Sequence, residues 1–126
     1  MRLGISIGAG LAIALGFAAG EASAQNSQRS GTRDFSGIAS FYDKNYQGKT
    51  ASGARYDASK FTAAHRTLPF GTRLTVVDPR SHRVVTVVVN DRGPFVKGRV
   101  LDLSYSAAQA LRMTGRGVMK VSASAD

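Results

Sequence analysis

The stretch from residue 84 to residue 95, VVTVVVNDRGPF, contributes most to the fold that the sequence predicts. Its first half is dense in valine, and β-branched residues of this kind favour strands over helices. Because the run is short and almost wholly apolar, we predict a strand over residues 83–90 that is buried on both faces. A polar pair and a Gly-Pro dipeptide at residues 90–94 then end the strand in a turn.

Shorter segments with the same character lie on either side of this strand. We expect further strands at residues 37–42, 61–65, 73–77, 99–103 and 118–123. One short helix is expected after Ser104, whose hydroxyl can cap it, with Gly115 and Gly117 beyond its C-terminal end. Six strands and one short helix predict a mainly β domain, and closure into a small barrel would leave no strand edge exposed.

The N-terminal residues have the pattern of a secretory signal peptide. A short positive end precedes an uncharged run at residues 3–19, and Ala22-Ser23-Ala24 is a small-residue cleavage site. We therefore predict a signal peptide at residues 1–24, a flexible polar arm at residues 25–35 and a barrel domain at residues 36–124. The protein is expected to be exported, to the periplasm or beyond the cell, and soluble after cleavage. Because the leader has no cysteine to acylate, no lipid anchor is expected.

The amino-acid composition excludes several kinds of site chemistry. The chain contains no cysteine, which excludes disulfides, thiolate nucleophiles and cysteine-type metal sites. The one glutamate, Glu21, lies in the predicted signal peptide, so aspartates must supply any carboxylate chemistry of the exported protein. The net charge of +9 fits either a solvated surface or an acidic partner, and export makes nucleic acid the weakest candidate partner. We predict no metal, no cofactor and no nucleic-acid partner.

Five motifs carry a resemblance to a known family over nearly the whole predicted domain. They are GIASFYD at residues 37–43, TASGARYD at 50–57, TAAHRTLPFGT at 62–72, VNDRGPF at 89–95 and GRVLDLS at 98–104. In this order they resemble the RlpA family of septal lytic transglycosylases. The resemblance implies a six-stranded double-psi β-barrel with one short helix. It also implies cleavage of peptidoglycan glycan strands, preferably peptide-stripped ones, between N-acetylmuramic acid and N-acetylglucosamine, with formation of a 1,6-anhydro sugar.

The resemblance assigns a catalytic acid to Asp91, where the central strand is predicted to end. Asp91 would protonate the glycosidic oxygen and then accept the proton of the C6 hydroxyl that attacks C1. The alternative from the residues alone is a turn-forming aspartate that accepts backbone hydrogen bonds. His65 is expected to orient the acid or to hold a sugar hydroxyl, unless it is a structural histidine. Asp102 matches a functional aspartate of expansin-like barrels, or else caps the helix that begins nearby.

Candidates for binding substrate lie beside Asp91 and in or next to the long irregular loop at residues 43–59. Aromatic rings in such positions can stack on sugar faces. The predicted substrate-binding residues are Tyr42, Tyr56, Asp57, Asn90 and Arg92. The alternatives are barrel packing for the two tyrosines and a turn-forming role for Asp57. We expect the protein to act on peptidoglycan as a monomer.

One position departs from the family pattern. Members of the family usually carry a glutamate where this chain has Ala54, and no glutamate follows the predicted signal peptide. A mechanism with two carboxylates would have to pair Asp91 with another aspartate, whereas a mechanism with a single acid survives. The alternative function is a non-catalytic, expansin-like barrel that binds peptidoglycan without cutting it.

Overall fold

The computed structural model describes residues 33–126, so the predicted signal peptide and residues 25–32 of the predicted arm lie outside the described part of the chain. The elements, in chain order, are β1 (Asp34–Phe41), β2 (Thr62–Ala64), β3 (Arg73–Val77), β4 (Val84–Asp91), β5 (Arg99–Leu103), α1 (Tyr105–Ala110) and β6 (Met119–Ala125). The strands close into a barrel in the order β1-β5-β2-β4-β3-β6. This architecture confirms the predicted fold class. Within residues 33–126, no helix has the length and apolar character needed to cross a membrane.

The valine-rich strand β4 is buried on one face only, so the prediction of burial on both faces is wrong. Val85, Val87 and Val89 are at most 5% exposed, whereas Thr86 and Val88 between them are half-buried. A barrel strand has an inner and an outer face, so successive side chains alternate between core and surface even where the sequence is uniformly apolar. The largest fully buried side chains of the core include Leu74, Val76, Leu101, Leu103, Leu111, Met113 and Val121.

Strand β1 begins earlier than predicted. Asp34 and Phe35, which the sequence assigns to the flexible arm, pair with Ser124 and Ala123 of β6. The Phe35 ring also packs against the core. Because β6 itself runs to Ala125, the paired strands extend beyond both predicted limits of the barrel domain, residues 36 and 124.

The start of helix α1 confirms the predicted cap. The Ser104 hydroxyl accepts a hydrogen bond from the backbone N–H of Ala107. Ala107 and Ala108 are fully buried, and the helix packs against β4. A local interaction over three residues is therefore enough to place the helix after β5.

The C-terminal end of α1 differs from the prediction. Leu111 is the C-cap, and the residue after it, Arg112, adopts the left-handed conformation with a φ of 57°. Gly115 and Gly117 lie beyond the helix, as predicted, but the left-handed residue next to the C-cap is Arg112 and not a glycine. Arg112 therefore has a backbone conformation that glycine would adopt more easily.

Candidate active site

Strand β2 places two carboxyl groups on one face of the barrel. Ala64 pairs with Asp91 of β4 on one side and with Asp102 of β5 on the other. Leu101 and Leu103, the chain neighbours of Asp102, are fully buried, so Asp102 points to the outer surface. Two strand spacings, about 10 Å, separate the backbones of the two aspartates. The structure thus brings both predicted catalytic aspartates to the same outer face.

Three donors hold the Asp91 carboxyl group. The Tyr42 hydroxyl donates to Oδ2. The backbone N–H groups of Ala51 and Arg92 donate to Oδ1 at 2.7 and 2.8 Å. The bond from Arg92 is a turn contact, but the other two donors come from distant parts of the chain. Donors that converge from different elements hold a carboxyl group in one orientation.

Tyr42 follows β1 and lies in a cluster of three tyrosines, Tyr42, Tyr46 and Tyr56, that we call the tyrosine cluster. The rings of Tyr42 and Tyr56 stack with centroids 4.6 Å apart, and Tyr46 packs against them at 5.3 and 5.4 Å. Burial, the hydrogen bond to Asp91, and the negative charges of Asp91 and Asp102 raise the pKa of the Tyr42 hydroxyl. This hydroxyl therefore stays protonated at physiological pH and remains a donor to Asp91.

The members of the tyrosine cluster differ in exposure. Tyr56 is only 6% exposed. Its hydroxyl accepts a hydrogen bond from the N–H of Tyr105 at 3.0 Å, so Tyr56 is a buried structural residue that holds the start of α1 in place. Tyr46 is 43% exposed and presents a ring that a sugar can reach. Sequence analysis did not single out Tyr46. The signal that could have found it is its position as an aromatic residue in the long irregular loop at residues 43–59.

Asp102 is held by a neighbour that sequence analysis also missed. The Ser40 hydroxyl donates to Oδ1 of Asp102, and the two residues pair across β1 and β5. The alternative that Asp102 caps the helix is wrong, since Ser104 provides the cap. Ser40 and Tyr42 are two residues apart at the end of β1. Because side chains alternate between the two faces of a strand, this spacing could have predicted that both face the same side.

The TASGA turn, residues 50–54, lies against Asp91. The carbonyl of Ala54 accepts hydrogen bonds from the backbone N–H and the hydroxyl of Thr50, at 2.7 and 2.9 Å. These bonds close the turn, and Ala51 within it donates to Asp91. The position where the family usually has a glutamate therefore belongs to the turn that contacts the candidate acid.

The two neighbours of Asp91 in the chain connect it to other loops. The Asn90 carbonyl accepts a hydrogen bond from the N–H of Ser52 at 3.2 Å. The Arg92 guanidinium donates to the carbonyl of Leu68 at 2.8 Å, and its Cζ lies 4.0 Å from the centre of the Phe70 ring. Arg92 thus holds the loop between β2 and β3 by a hydrogen bond and a cation–π contact.

His65 contacts Asp91 through its backbone. The His65 N–H donates to the carbonyl of Asp91 at 3.2 Å. The imidazole Nδ1 accepts hydrogen bonds from the N–H groups of Thr67 and Leu68, both at 3.1 Å. The ring packs edge-on against Phe35 with centroids 5.0 Å apart. The contacts of the imidazole within residues 33–126 are therefore with the barrel and the following loop, away from the carboxyl groups.

The surroundings of His65 favour its neutral form. Burial, followed by the positive charges of Arg66 and Arg92, lowers the pKa of the imidazole. A neutral ring keeps Nδ1 free of a proton, which its role as an acceptor requires.

An open cavity of about 520 Å³ lies beside the tyrosine cluster. Lys44, Arg55 and Lys60 line it together with Asp57. The Asp57 carboxyl group accepts hydrogen bonds from the hydroxyl and N–H of Ser59 at 2.6 and 2.9 Å, and these bonds lower its pKa. Asp57 therefore forms a local turn, and the three cations give the cavity a positive charge.

The match to a family model covers most of the chain. Residues 34–123 match the model of a family described as "Lytic transglycolase". The chain belongs to this lytic transglycosylase family, whose fold is the double-psi β-barrel seen here.

Curated relatives and a solved structure support this assignment. The probable endolytic peptidoglycan transglycosylase RlpA of Nostoc sp. is 53% identical over 90 residues, which are 69% of this chain and 24% of that protein. The endolytic peptidoglycan transglycosylase RlpA of Pasteurella multocida is 53% identical over 83 residues, which are 65% of this chain and 28% of that protein. The chain thus spans about a quarter of the length of these relatives. The apo expansin of Clavibacter michiganensis has a TM-score of 0.57 and 26% identity over 74% of this chain and 50% of that chain.

Proposed function

We propose that this protein is a lytic transglycosylase that cleaves the glycan strands of peptidoglycan, with Asp91 as both acid and base. The observation that carries the proposal is the Asp91 carboxyl group, held by three donors on the outer surface of a barrel of this family. The substrate is a peptide-stripped strand, cut between N-acetylmuramic acid and N-acetylglucosamine. The names of the two curated relatives support peptidoglycan as the substrate.

The reaction needs one carboxyl group. Asp91 gives its proton to the glycosidic oxygen, and the bond from that oxygen to C1 of N-acetylmuramic acid breaks. The C6 hydroxyl of the same sugar attacks C1 and forms the new C1–O6 bond. The hydroxyl proton passes to the Asp91 carboxylate, which restores the acid. No water is consumed, and the products are an N-acetylglucosamine hydroxyl and a 1,6-anhydro sugar.

The groups around Asp91 have separate roles in this proposal. The donors from Tyr42, Ala51 and Arg92 stabilise the carboxylate that forms when the proton leaves, because they already point at its two oxygens. The Asp102 carboxylate on the same face stabilises the positive charge that develops on the sugar ring. His65 is a positioning residue that acts through its backbone bond to Asp91.

Substrate binding uses the surface next to the acid. The exposed ring of Tyr46 stacks on a sugar, with Tyr42 and Tyr56 packed behind it. The cations of the neighbouring cavity attract the lactyl carboxylates that are free once stem peptides have been removed. Within residues 33–126 the Asn90 side chain makes no hydrogen bond to protein, so its amide is available to a sugar hydroxyl.

A second function has its own support. Ala54 stands where the family usually has a glutamate, and the fold is shared with an expansin. In this alternative the barrel binds peptidoglycan glycan and does not cut it. Binding would then survive the loss of the Asp91 carboxyl group, and no anhydro product would form.

The location of the substrate completes the proposal. Peptidoglycan lies outside the cytoplasmic membrane, and the N-terminal sequence has the pattern of a signal peptide. We therefore also propose that the protein is exported and acts at the cell wall, where it works as a monomer.

The deciding experiment is digestion of amidase-treated sacculi with the purified protein, read by mass spectrometry. The proposal expects fragments that end in 1,6-anhydro-N-acetylmuramic acid. A known transglycosylase serves as positive control. If the control releases such fragments and this protein only sediments with the sacculi, the binding alternative is correct.

A further inference from the structure

A second charged site lies at the opposite end of β4 from Asp91. One pocket of about 290 Å³ is lined by four arginines, which are Arg80, Arg83, Arg112 and Arg116. We call it the arginine pocket. The buried side chains of Leu111 and Met119 also line it. Because β4 is eight residues long, about 20 Å separate its arginine end from Asp91.

The carboxylate in the arginine pocket leaves most of the positive charge uncompensated. Asp78 is 3% exposed, and its oxygens accept hydrogen bonds from the Ser81 hydroxyl and the Arg80 N–H at 2.7 and 3.0 Å. These bonds, with a smaller contribution from Arg116, lower the pKa of Asp78. One ionised aspartate among four arginines leaves the pocket with a net charge of +3.

The four guanidinium groups have no carboxylate partner at contact distance within residues 33–126. The salt bridge found in that part of the chain joins Arg73 to Asp126, away from the arginine pocket. Four arginines around one pocket give this part of the surface a positive potential, which attracts an anionic ligand. Their planar forks match the oxygens of a phosphate group.

The backbone around the arginine pocket is also unusual. Within residues 33–126, the non-glycine residues with positive φ are His82 at 66° and Arg112 at 57°. His82 lies between two residues that line the pocket, and Arg112 lines it directly. Strained backbone of this kind occurs preferentially at binding sites.

Two exposed valines adjacent in sequence to residues of the arginine pocket favour a lipid surface over a soluble phosphate as its ligand. Val84 is 54% exposed and follows Arg83, while Val118 is 39% exposed and precedes Met119. We propose that the arginine pocket and these two valines bind the surface of an anionic phospholipid membrane. The arginines contact the phosphates, and the valines add apolar contact at the boundary between headgroups and acyl chains. A soluble phosphate would use the arginines alone.

This attachment goes beyond glycan cleavage and has a consequence for it. The arginine pocket contacts the lipid at one end of β4, and Asp91 at the other end, about 20 Å away, stays open to glycan strands. The proposal does not depend on whether the barrel cuts or only binds glycan.

The test is sedimentation of the purified protein with phospholipid vesicles. Vesicles of phosphatidylcholine are compared with an equal mixture of phosphatidylcholine and phosphatidylglycerol. The pocket variant combines Arg80→Gln, Arg83→Gln and Arg116→Gln. The control variant combines Lys44→Gln, Lys49→Gln and Lys97→Gln, three exposed lysines outside the arginine pocket, and loses the same charge.

The wild-type protein should sediment with the mixed vesicles and stay in solution with phosphatidylcholine alone. Each arginine near an anionic surface contributes about fivefold in partitioning, so the pocket variant should bind about 100-fold more weakly. The control variant should lose much less affinity for the mixed vesicles. If the pocket variant does not fold, as judged by thermal unfolding, the single variants Arg80→Gln and Arg83→Gln should each show the fivefold loss.

Two results would overturn the proposal. Equal losses in the pocket and control variants would mean that diffuse charge, and not the arginine pocket, attracts the lipid. The second result is that inorganic phosphate binds, as measured by changes in amide chemical shifts, while the mixed vesicles do not. The pocket would then be a site for a soluble anion.

Discussion

The hydroxyl of Tyr42 donates a hydrogen bond to Oδ2 of Asp91, a residue 49 positions further along the chain. The bond joins the end of β1 to the end of β4, and Tyr56 stacks on the donor ring with centroids 4.6 Å apart. Because its pKa is raised, the Tyr42 hydroxyl stays protonated and keeps donating. Tyr42 therefore holds the proposed acid in place from an element that is remote in sequence.

Replacing Asp91 by Asn should abolish most of the activity. The amide cannot give and regain a proton, and the loss of a general acid lowers rates by about 100-fold to 10,000-fold. Release of anhydro-terminated fragments from amidase-treated sacculi measures the effect. The matched control is Asp34→Asn at the exposed start of β1, which should keep the wild-type rate. A folded Asp91→Asn variant that still works at the wild-type rate would rule out Asp91 as the acid.

Two tyrosine-to-phenylalanine variants separate positioning from stability. Tyr42→Phe removes a hydrogen bond to a charged group, which contributes about 1.5–3 kcal/mol, so kcat should fall about 10- to 100-fold while KM stays near its wild-type value. Tyr56→Phe removes the acceptor of the Tyr105 N–H and should lower stability by about 1 kcal/mol with little change in kcat. Kinetics on peptide-stripped glycan and thermal unfolding measure the two effects. The assignment of Tyr42 fails if the two variants have the same kinetic profile.

Ala54→Glu should increase the rate of cleavage. The side chain at this position is exposed, so a carboxyl group carries no burial cost, and the TASGA turn that bears it contacts Asp91. A second carboxyl group on the turn that contacts the acid can share the proton transfers, so the rate should rise by about 100-fold or more. Ala54→Gln has the same size without the charge and should stay at the wild-type rate. If Ala54→Glu and the wild type both bind glycan and neither releases anhydro fragments, the result supports the expansin-like alternative.

His65 should make the free energy of unfolding decrease as the pH falls below about 6.5. Its pKa in the folded state is lowered, chiefly by burial, below the ordinary value of about 6.5. The unfolded chain therefore takes up a proton first as the pH falls. The stabilisation is fully present above the unfolded pKa and is lost as the pH falls from that value through the lower pKa of the folded state, because the buried imidazole resists protonation while the unfolded chain does not.

The measurement for His65 is thermal unfolding as a function of pH. His65→Asn keeps an acceptor and does not titrate, so its melting temperature should fall less than that of the wild type between pH 7 and pH 5. His82→Gln, at an exposed position, should behave like the wild type. Parallel curves for the wild type and His65→Asn would contradict the assignment.

Sequence analysis succeeded where the deciding interactions are local. The Ser104 cap joins residues three apart, and the break after β4 follows from residues 90–94 themselves. It failed at β4, where a uniform run of valines hides which side chains face the core. It also failed at Arg112, because the end of a six-residue helix depends on packing around it as much as on the next glycine.

The amino-acid sequence by itself determined the family, the six strands, the helix cap and the position of Asp91 at the end of a strand, since each depends on residues close together in the chain. Tertiary structure alone decided that Tyr42 and Ser40 hold the two aspartates, that the His65 imidazole packs on Phe35, and that four arginines share one pocket. These contacts join residues from separate strands and loops. Closing the barrel sets the register that brings them together, and pairing register is a property of the whole sheet.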